Sequence, residues 1–162
     1  MSTPNSRASD KKASDALSDR LCATPAAGSE ADRFRDADDR LKALSDEVIQ
    51  AIRADVDGGM PPDIATVLEC WCLLHETKPA SVAGCIKLAE DPAEFKLVGL
   101  STLGYLEPND LAAIQTRTEG LDPGSARNRP FAGAQAAAAM LEWLQAALAL
   151  RRWADQTRQT AT

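Results

Sequence analysis

Two adjacent prolines, Pro61-Pro62, divide a helical pattern in two, and the residues on either side constrain the fold more than anything else in the chain. Before them, from Asp32 onward, Phe34, Ala37, Leu41, Leu44, Val48 and Ala51 recur three and four apart. That is an a/d seam, with Arg33, Arg35, Asp38, Asp39, Arg40, Lys42, Asp46 and Glu47 on the wet faces. About three heptads cannot hold a helix alone in water, so the run needs a partner. Asp57-Gly58-Gly59 stops it. Pro62 then opens a second helix in a first-turn position, where its missing N–H costs nothing. Ile64, Val67, Leu68, Trp71 and Leu74 give this helix a wide apolar face, and Thr77-Lys78-Pro79 ends it.

The partner for the first run lies near the other end of the chain. Ala136 to Ala139 lead into Leu141, Leu144 and Leu148 on a helix expected over 131–157. The alanines suit close helix packing. Between the two long runs the pattern predicts a helix from Ser81 to Ala89, a break at Asp91-Pro92, and a helix from Glu94 to Leu103. A short helix from Leu111 to Glu119 follows, capped by Asn109 or Asp110. Gly120 to Gly124 reads as a turn, and Ser125 to Pro130 as an irregular basic stretch. No segment alternates with period two, so the fold class is all-α. The expected architecture is a small helical bundle head over 61–130, capping a short antiparallel coiled-coil stub built from 31–57 and 131–157. Residues 1–30, rich in Ser, Ala, Asp and Thr, read as a disordered polar tail, and 158–162 as a second tail. Met1 and the tapering polar end at Thr162 suggest a complete small protein.

Several function classes are disfavoured. The net charge of −6 argues against general nucleic-acid binding. No apolar run reaches bilayer length, and Met1 to Asp19 contains no apolar core of a secretory signal, so no membrane partner is expected. Cys22, Cys70, Cys72 and Cys85 form no Cys-x-x-Cys, and His75 is the only histidine, so no metal site is expected. The cysteines read as small buried thiols in a reducing compartment. Glu69 and Glu142 sit inside apolar helices, with nothing nucleophilic converging on them, and read as solvent-facing. Trp71, Phe95 and Trp143 read as core. A helix C-terminus would favour protonation of His75, and would suit Arg151-Arg152. No catalytic residue, cofactor or small-molecule substrate is expected.

The order of these elements resembles the microtubule-binding domain at the tip of the dynein heavy-chain stalk. The resemblance runs from about Leu41 to Trp153. It rests on Pro61-Pro62 followed by Val67, Glu69, Leu73 and Leu74. It continues through Asp91-Pro92-Ala93-Glu94-Phe95-Lys96-Leu97 with Leu100, then Tyr105-Leu106-Glu107-Pro108-Asn109-Asp110-Leu111. It ends on Ala137, Ala138, Leu141, Trp143 and Leu144 in the returning strand. The chain departs from the family in four ways, the first being that the family's stalk is long whereas each strand here is a stub. The family's tryptophan near the start of the second short helix is replaced by Val82. Basic residues are few. No G-x-x-x-x-G-K-[ST] loop occurs, so the chain carries no nucleotide-hydrolysing ring of its own.

The resemblance implies a non-catalytic cytoskeletal protein that binds tubulin in microtubules, or axonemal proteins of a cilium or flagellum. The implied location is cytoplasmic. Because a microtubule surface is acidic, the candidate tubulin contacts are Lys78, Lys87, Arg117, Arg127 and Arg129, with Lys96 a further cation nearby. Sliding of the two strands tunes affinity in the family. So short a stub is expected to hold a fixed register. The alternative is a helical protein-protein interaction scaffold that has lost tubulin binding.

Overall fold

The computed structural model describes residues 28–53, 60–77 and 80–160. They form helices and connecting turns, with no strand among them, so the chain is all-α. In chain order the helices are α1 (Gly28–Lys42), α2 (Asp46–Gln50), α3 (Pro62–Leu74), α4 (Val82–Leu88), α5 (Pro92–Phe95), α6 (Leu100–Gly104), α7 (Pro108–Thr118), α8 (Pro123–Arg127) and α9 (Ala134–Thr160). The expected tails overlap helices at both ends: α1 begins at Gly28 and α9 runs to Thr160. Residues 1–27, Asp57-Gly58-Gly59 and Lys78-Pro79, each assigned a role from the sequence, lie outside the described residues.

Proline sets the starts of four helices. Pro62, Pro92, Pro108 and Pro123 each stand in the first turn. The fixed φ of proline suits that turn, and its absent N–H is one that no intrahelical carbonyl would have bonded. At α5 and α8 an aspartate precedes the proline and completes the cap: Asp91 accepts from the Glu94 N–H, and Asp122 from the Ser125 N–H. The α8 helix therefore replaces the turn and irregular stretch expected over 120–130. Likewise α7 starts at Pro108 behind Glu107, not behind Asn109 or Asp110.

Two expected helices are broken. The first long run stops at Lys42, and Ser45 caps a new short helix by accepting from the Val48 N–H. The break is held from far along the chain. Lys96 Nζ donates to the carbonyls of Lys42 (3.1 Å) and Leu44 (2.9 Å), while Lys42 Nζ donates to those of Val98 (2.7 Å) and Lys96. Each ammonium thus satisfies carbonyls left over at the other segment's helix end. The same clasp separates α5 from α6, where one helix was expected from Glu94 to Leu103. At the end of α3, the Glu76 N–H bonds the Leu73 carbonyl and the Thr77 N–H the Cys72 carbonyl, with Glu76 at φ 55°. That is a Schellman turn with glutamate in the position glycine usually takes, so α3 ends before Thr77.

The α9 helix is the axis of the molecule. Ala136, Ala137, Ala138, Met140, Leu141, Trp143, Leu144, Ala147 and Leu150 are all inaccessible to solvent. Helices α1, α2, α3, α7 and α8 all pack on it. α1 runs antiparallel to α9, since Asp38 meets Trp143 and Leu44 shares a groove with Ala139, while Ala37 shares another with Leu148. The seam expected from Leu41 and Leu44 against Leu141, Leu144 and Leu148 is buried, and Val48 is partly so. These two helices do not stand apart as a stub, however. Phe34 and Leu41 of α1, Leu68 and Trp71 of α3, and Leu141 of α9 belong to one continuous core. A coiled coil keeps half of each helix wet, whereas the alanine run of α9 accepts neighbours on several sides.

The entry to α9 is the tightest point of this packing. A Cβ placed on Gly133 would lie 2.6 Å from the Phe131 ring and 2.8 Å from the Ile52 Cα. The second atom is backbone and cannot swing away. Gly133→Ala should therefore destabilise the fold by about 1–3 kcal/mol through overpacking. Chemical denaturation with an unchanged m-value checks this, and a midpoint equal to wild type would show that the Ile52 segment yields freely.

Candidate functional site

Three of the five candidate cations gather around α3 and α9, and each is held by a carboxylate of the same chain. The Arg129 guanidinium donates to Asp63 Oδ2 at 3.1 Å, near the start of α3. Arg117, on α7, donates to Glu69, further along α3. That bond drives the Arg117 guanidinium further toward its charged form. Arg127, on α8, donates to Glu142 Oε1 of α9 at 2.9 Å, and Arg40 of α1 pairs with the other oxygen of Glu142 at 3.2 Å. Glu69 and Glu142 are thus half-buried anchors rather than freely solvated carboxylates.

The remaining candidates divide. Lys87 is exposed on α4 and has no ion-pair partner among the described residues. Lys78 lies outside the described residues. Lys96 uses its ammonium on backbone carbonyls. The three arginines remain about half exposed, so their ion pairs are screened, and each contributes about 0.2–1 kcal/mol. What they form is a rim of paired charges, not a free basic patch.

Sequence reasoning missed a cleft in which three arginines meet Glu119, Asp122 and Glu142. Arg33 of α1 and Arg152 of α9 face one cleft of about 620 Å³, bounded on its far side by the turn joining α7 to α8. Neither has an ion-pair partner among the described residues. The antiparallel register of α1 on α9 was the available signal, because it brings the start of one helix beside the end of the other. Among the described residues no three His, Cys, Asp or Glu side chains converge as a metal group, and no helix is long and apolar enough to cross a membrane.

The aromatic side chains are core, as their spacing suggested. Trp71 and Trp143 meet edge to face at 5.8 Å, flanked by Phe34 and Phe95. Both indoles are satisfied: Trp143 Nε1 donates to Asp38 at 2.9 Å and Trp71 Nε1 to the Phe95 carbonyl at 3.1 Å. His75, one turn after Trp71, brings its Nε2 within 3.2 Å of the same carbonyl.

Cys70, Cys72 and Cys85 are free thiols without solvent access, while Cys22 lies outside the described residues. Burial pushes Cys70 up to about 11. A hydrogen bond with Cys85 lowers Cys72 to about 7, and the same bond raises Cys85 well above the usual thiol range. Enclosure of both sulfurs keeps the pair from acting as an open nucleophilic site. No protein-family model, curated protein or solved structure matches the chain.

The helix dipole alone would favour protonated His75, but burial holds its imidazole below the ordinary 6.5 despite the bond to Phe95. Between that depressed value and 6.5 the unfolded chain binds more protons than the folded one. Stability therefore falls as pH drops through this window. His75→Gln should flatten that part of the pH dependence. Denaturant midpoints of both proteins from about pH 5 to 7.5 check it, and identical slopes would assign the effect to other groups.

Proposed function

We propose that this chain is a non-catalytic cytoskeletal protein of the dynein stalk-tip kind that binds microtubules or an axonemal assembly. The observation that carries the reading is the joint arrangement of the residues on which the resemblance rests. Val67, Leu74, Phe95, Leu141, Trp143 and Leu144 all meet in one core. The helices between the two long segments begin at Pro61-Pro62 and return through the alanine run, the order from which the resemblance is read. Around that core Arg117, Arg127 and Arg129 remain about half exposed, which leaves them open to an acidic partner. Pairing of Glu69 and Glu142 with these arginines supports a structural rather than a proton-transferring role for both carboxylates.

The same ion pairs favour a second reading, the interaction scaffold that has lost tubulin binding. A tubulin carboxylate must displace Glu69, Glu142 or Asp63 before it gains an arginine. The exchange replaces one partly screened pair by another, so the net gain is small and sensitive to salt. The two readings separate by co-sedimentation with microtubules over a salt series. Wild type should pellet at low salt and be released as salt rises. An R117Q/R127Q/R129Q variant should pellet much less, and Lys87→Glu should weaken binding without loss of thermal stability. Absence of wild-type pelleting at low salt would overturn the microtubule reading and leave the scaffold.

A further inference from the structure

Helix α4 is held to the molecule by little. Of its residues only Cys85 is fully buried, with Ala89 just past its end. Val82, Ile86 and Leu88 are partly buried, and Ala83 and Lys87 are exposed. Its main packing is against α3, with α5 beside it. A helix this short, with Gly84 in its interior, has no stability of its own. A segment that buries so little opens at a fraction of the free energy of global unfolding.

Cys85 sits against the end of α3. The Ser81 carbonyl, at the cap of α4, accepts from both elements: the Cys85 N–H and Cys72 Sγ each lie 3.1 Å from it. The two sulfurs are also hydrogen-bonded to one another. Cys72 is fixed from its own side, because its carbonyl accepts the Thr77 N–H at 2.9 Å in the turn that closes α3. One thiol thus belongs to the core and the other to the element that can leave it. Cys70 stands apart, with Arg117 and Glu69 as its charged neighbours.

The pair is chemically uneven. The hydrogen bond with Cys85 holds Cys72 at about 7, and that same bond, with burial, raises Cys85 well above the usual thiol range. A sulfur with thiolate character beside a protonated thiol is the arrangement of an attacking and a resolving cysteine. While α4 is seated, neither sulfur touches solvent.

We propose that Cys72 and Cys85 are a reversible dithiol–disulfide pair, oxidised by a hydroperoxide, that locks α4 onto α3. Small openings of α4 admit an oxidant of the size of hydrogen peroxide. The Cys72 thiolate attacks the O–O bond and becomes a sulfenic acid, while hydroxide leaves and takes a proton from solvent as water. The Cys85 sulfur then attacks the sulfenic sulfur. The S–O bond breaks, and a second water leaves with the Cys85 proton. Two thiols lose two electrons and one peroxide becomes two waters. A small dithiol reverses the step by exchange and leaves as its own disulfide. From hydrogen-bond contact to an S–S bond of about 2.05 Å the sulfurs move by on the order of 1–2 Å, within reach of a χ1 rotation. The bond closes the loop 72–85 and removes the opened states of α4.

The test treats the native full-length chain with hydrogen peroxide and digests it after glutamate without reduction. Segments 70–76 and 77–90 should emerge as one linked peptide, with fragmentation placing the bond on Cys72 rather than Cys70. The linked peptide should be about 2 Da lighter than the sum of its reduced parts. The oxidised protein should melt about 5–10 °C above the reduced one, and dithiothreitol should reverse both changes. In Cys85→Ala the Cys72 sulfenic acid has no resolving partner, so dimedone should capture it and peroxide should not raise the melting temperature. Absence of the linked peptide from folded wild type would overturn the proposal. So would linkage formed only in denaturant, a bond to Cys70, or an oxidised form that melts no higher than the reduced one. The test contains no microtubules, so its outcome and that of the pelleting experiment stand or fall separately.

Discussion

The edge-to-face contact of Trp71 with Trp143 is the joint on which the bundle depends. It brings α3 against α9, and each indole extends the contact by one further ring, Phe95 of α5 and Phe34 of α1. An aromatic pair of this geometry contributes about 0.5–1.5 kcal/mol beyond the area it buries. The N–H groups add direction to that attraction. A buried indole N–H without an acceptor would cost more than the contact gains, so the acceptors fix where neighbouring elements can sit. Asp38 sets the register of α1 on α9, and the Phe95 carbonyl sets the distance of α5 from α3. The alanines of α9 complete the arrangement, because small side chains let several helices approach one axis while two tryptophans occupy its middle.

Local signals in the sequence fared according to whether their cause was local. The starts of α3 at Pro62 and of α4 beside Ser81 depend only on residues within one turn, and both were legible. The α8 helix was equally legible in principle. Asp122-Pro123 repeats the Asp91-Pro92 start of α5, but glycines on both sides of the proline made the segment read as a turn. The break between α1 and α2 was not legible. The three-and-four spacing runs straight through Ala43 to Ser45, and the ammonium that stabilises the interrupted backbone belongs to Lys96. Glu76 illustrates a milder failure: a left-handed residue that is neither Gly nor Asn carries no mark in the sequence.

The candidate site shows the same division. A sequence offers its cations as a list, and Arg117, Arg127 and Arg129 stand out because few acids follow them in the chain. Their carboxylates come from Glu69, Glu142 and Asp63, between 15 and 66 residues away, where no local reading finds them. Conversely, Arg33 reads as one member of an alternating wet face, and Arg152 as a dipole-matched helix end. Only the antiparallel packing of α1 on α9 brings the two to one cleft.

That contrast bears on how a chain with a net charge of −6 can engage an acidic partner at all. Long-range attraction is against it, and screening confines any favourable field to roughly 8 Å at physiological ionic strength. What counts is therefore the charge left uncompensated within that radius. The rim arginines are neutralised by their own carboxylates and stay bound to them until a competitor removes one, so they discriminate by exchange. Arg33 and Arg152 form no ion pair among the described residues, but Glu119, Asp122 and Glu142 line the same cleft, so its charges balance as well. An acidic surface must therefore compete for the rim, where each pair gained is nearly offset by a pair lost.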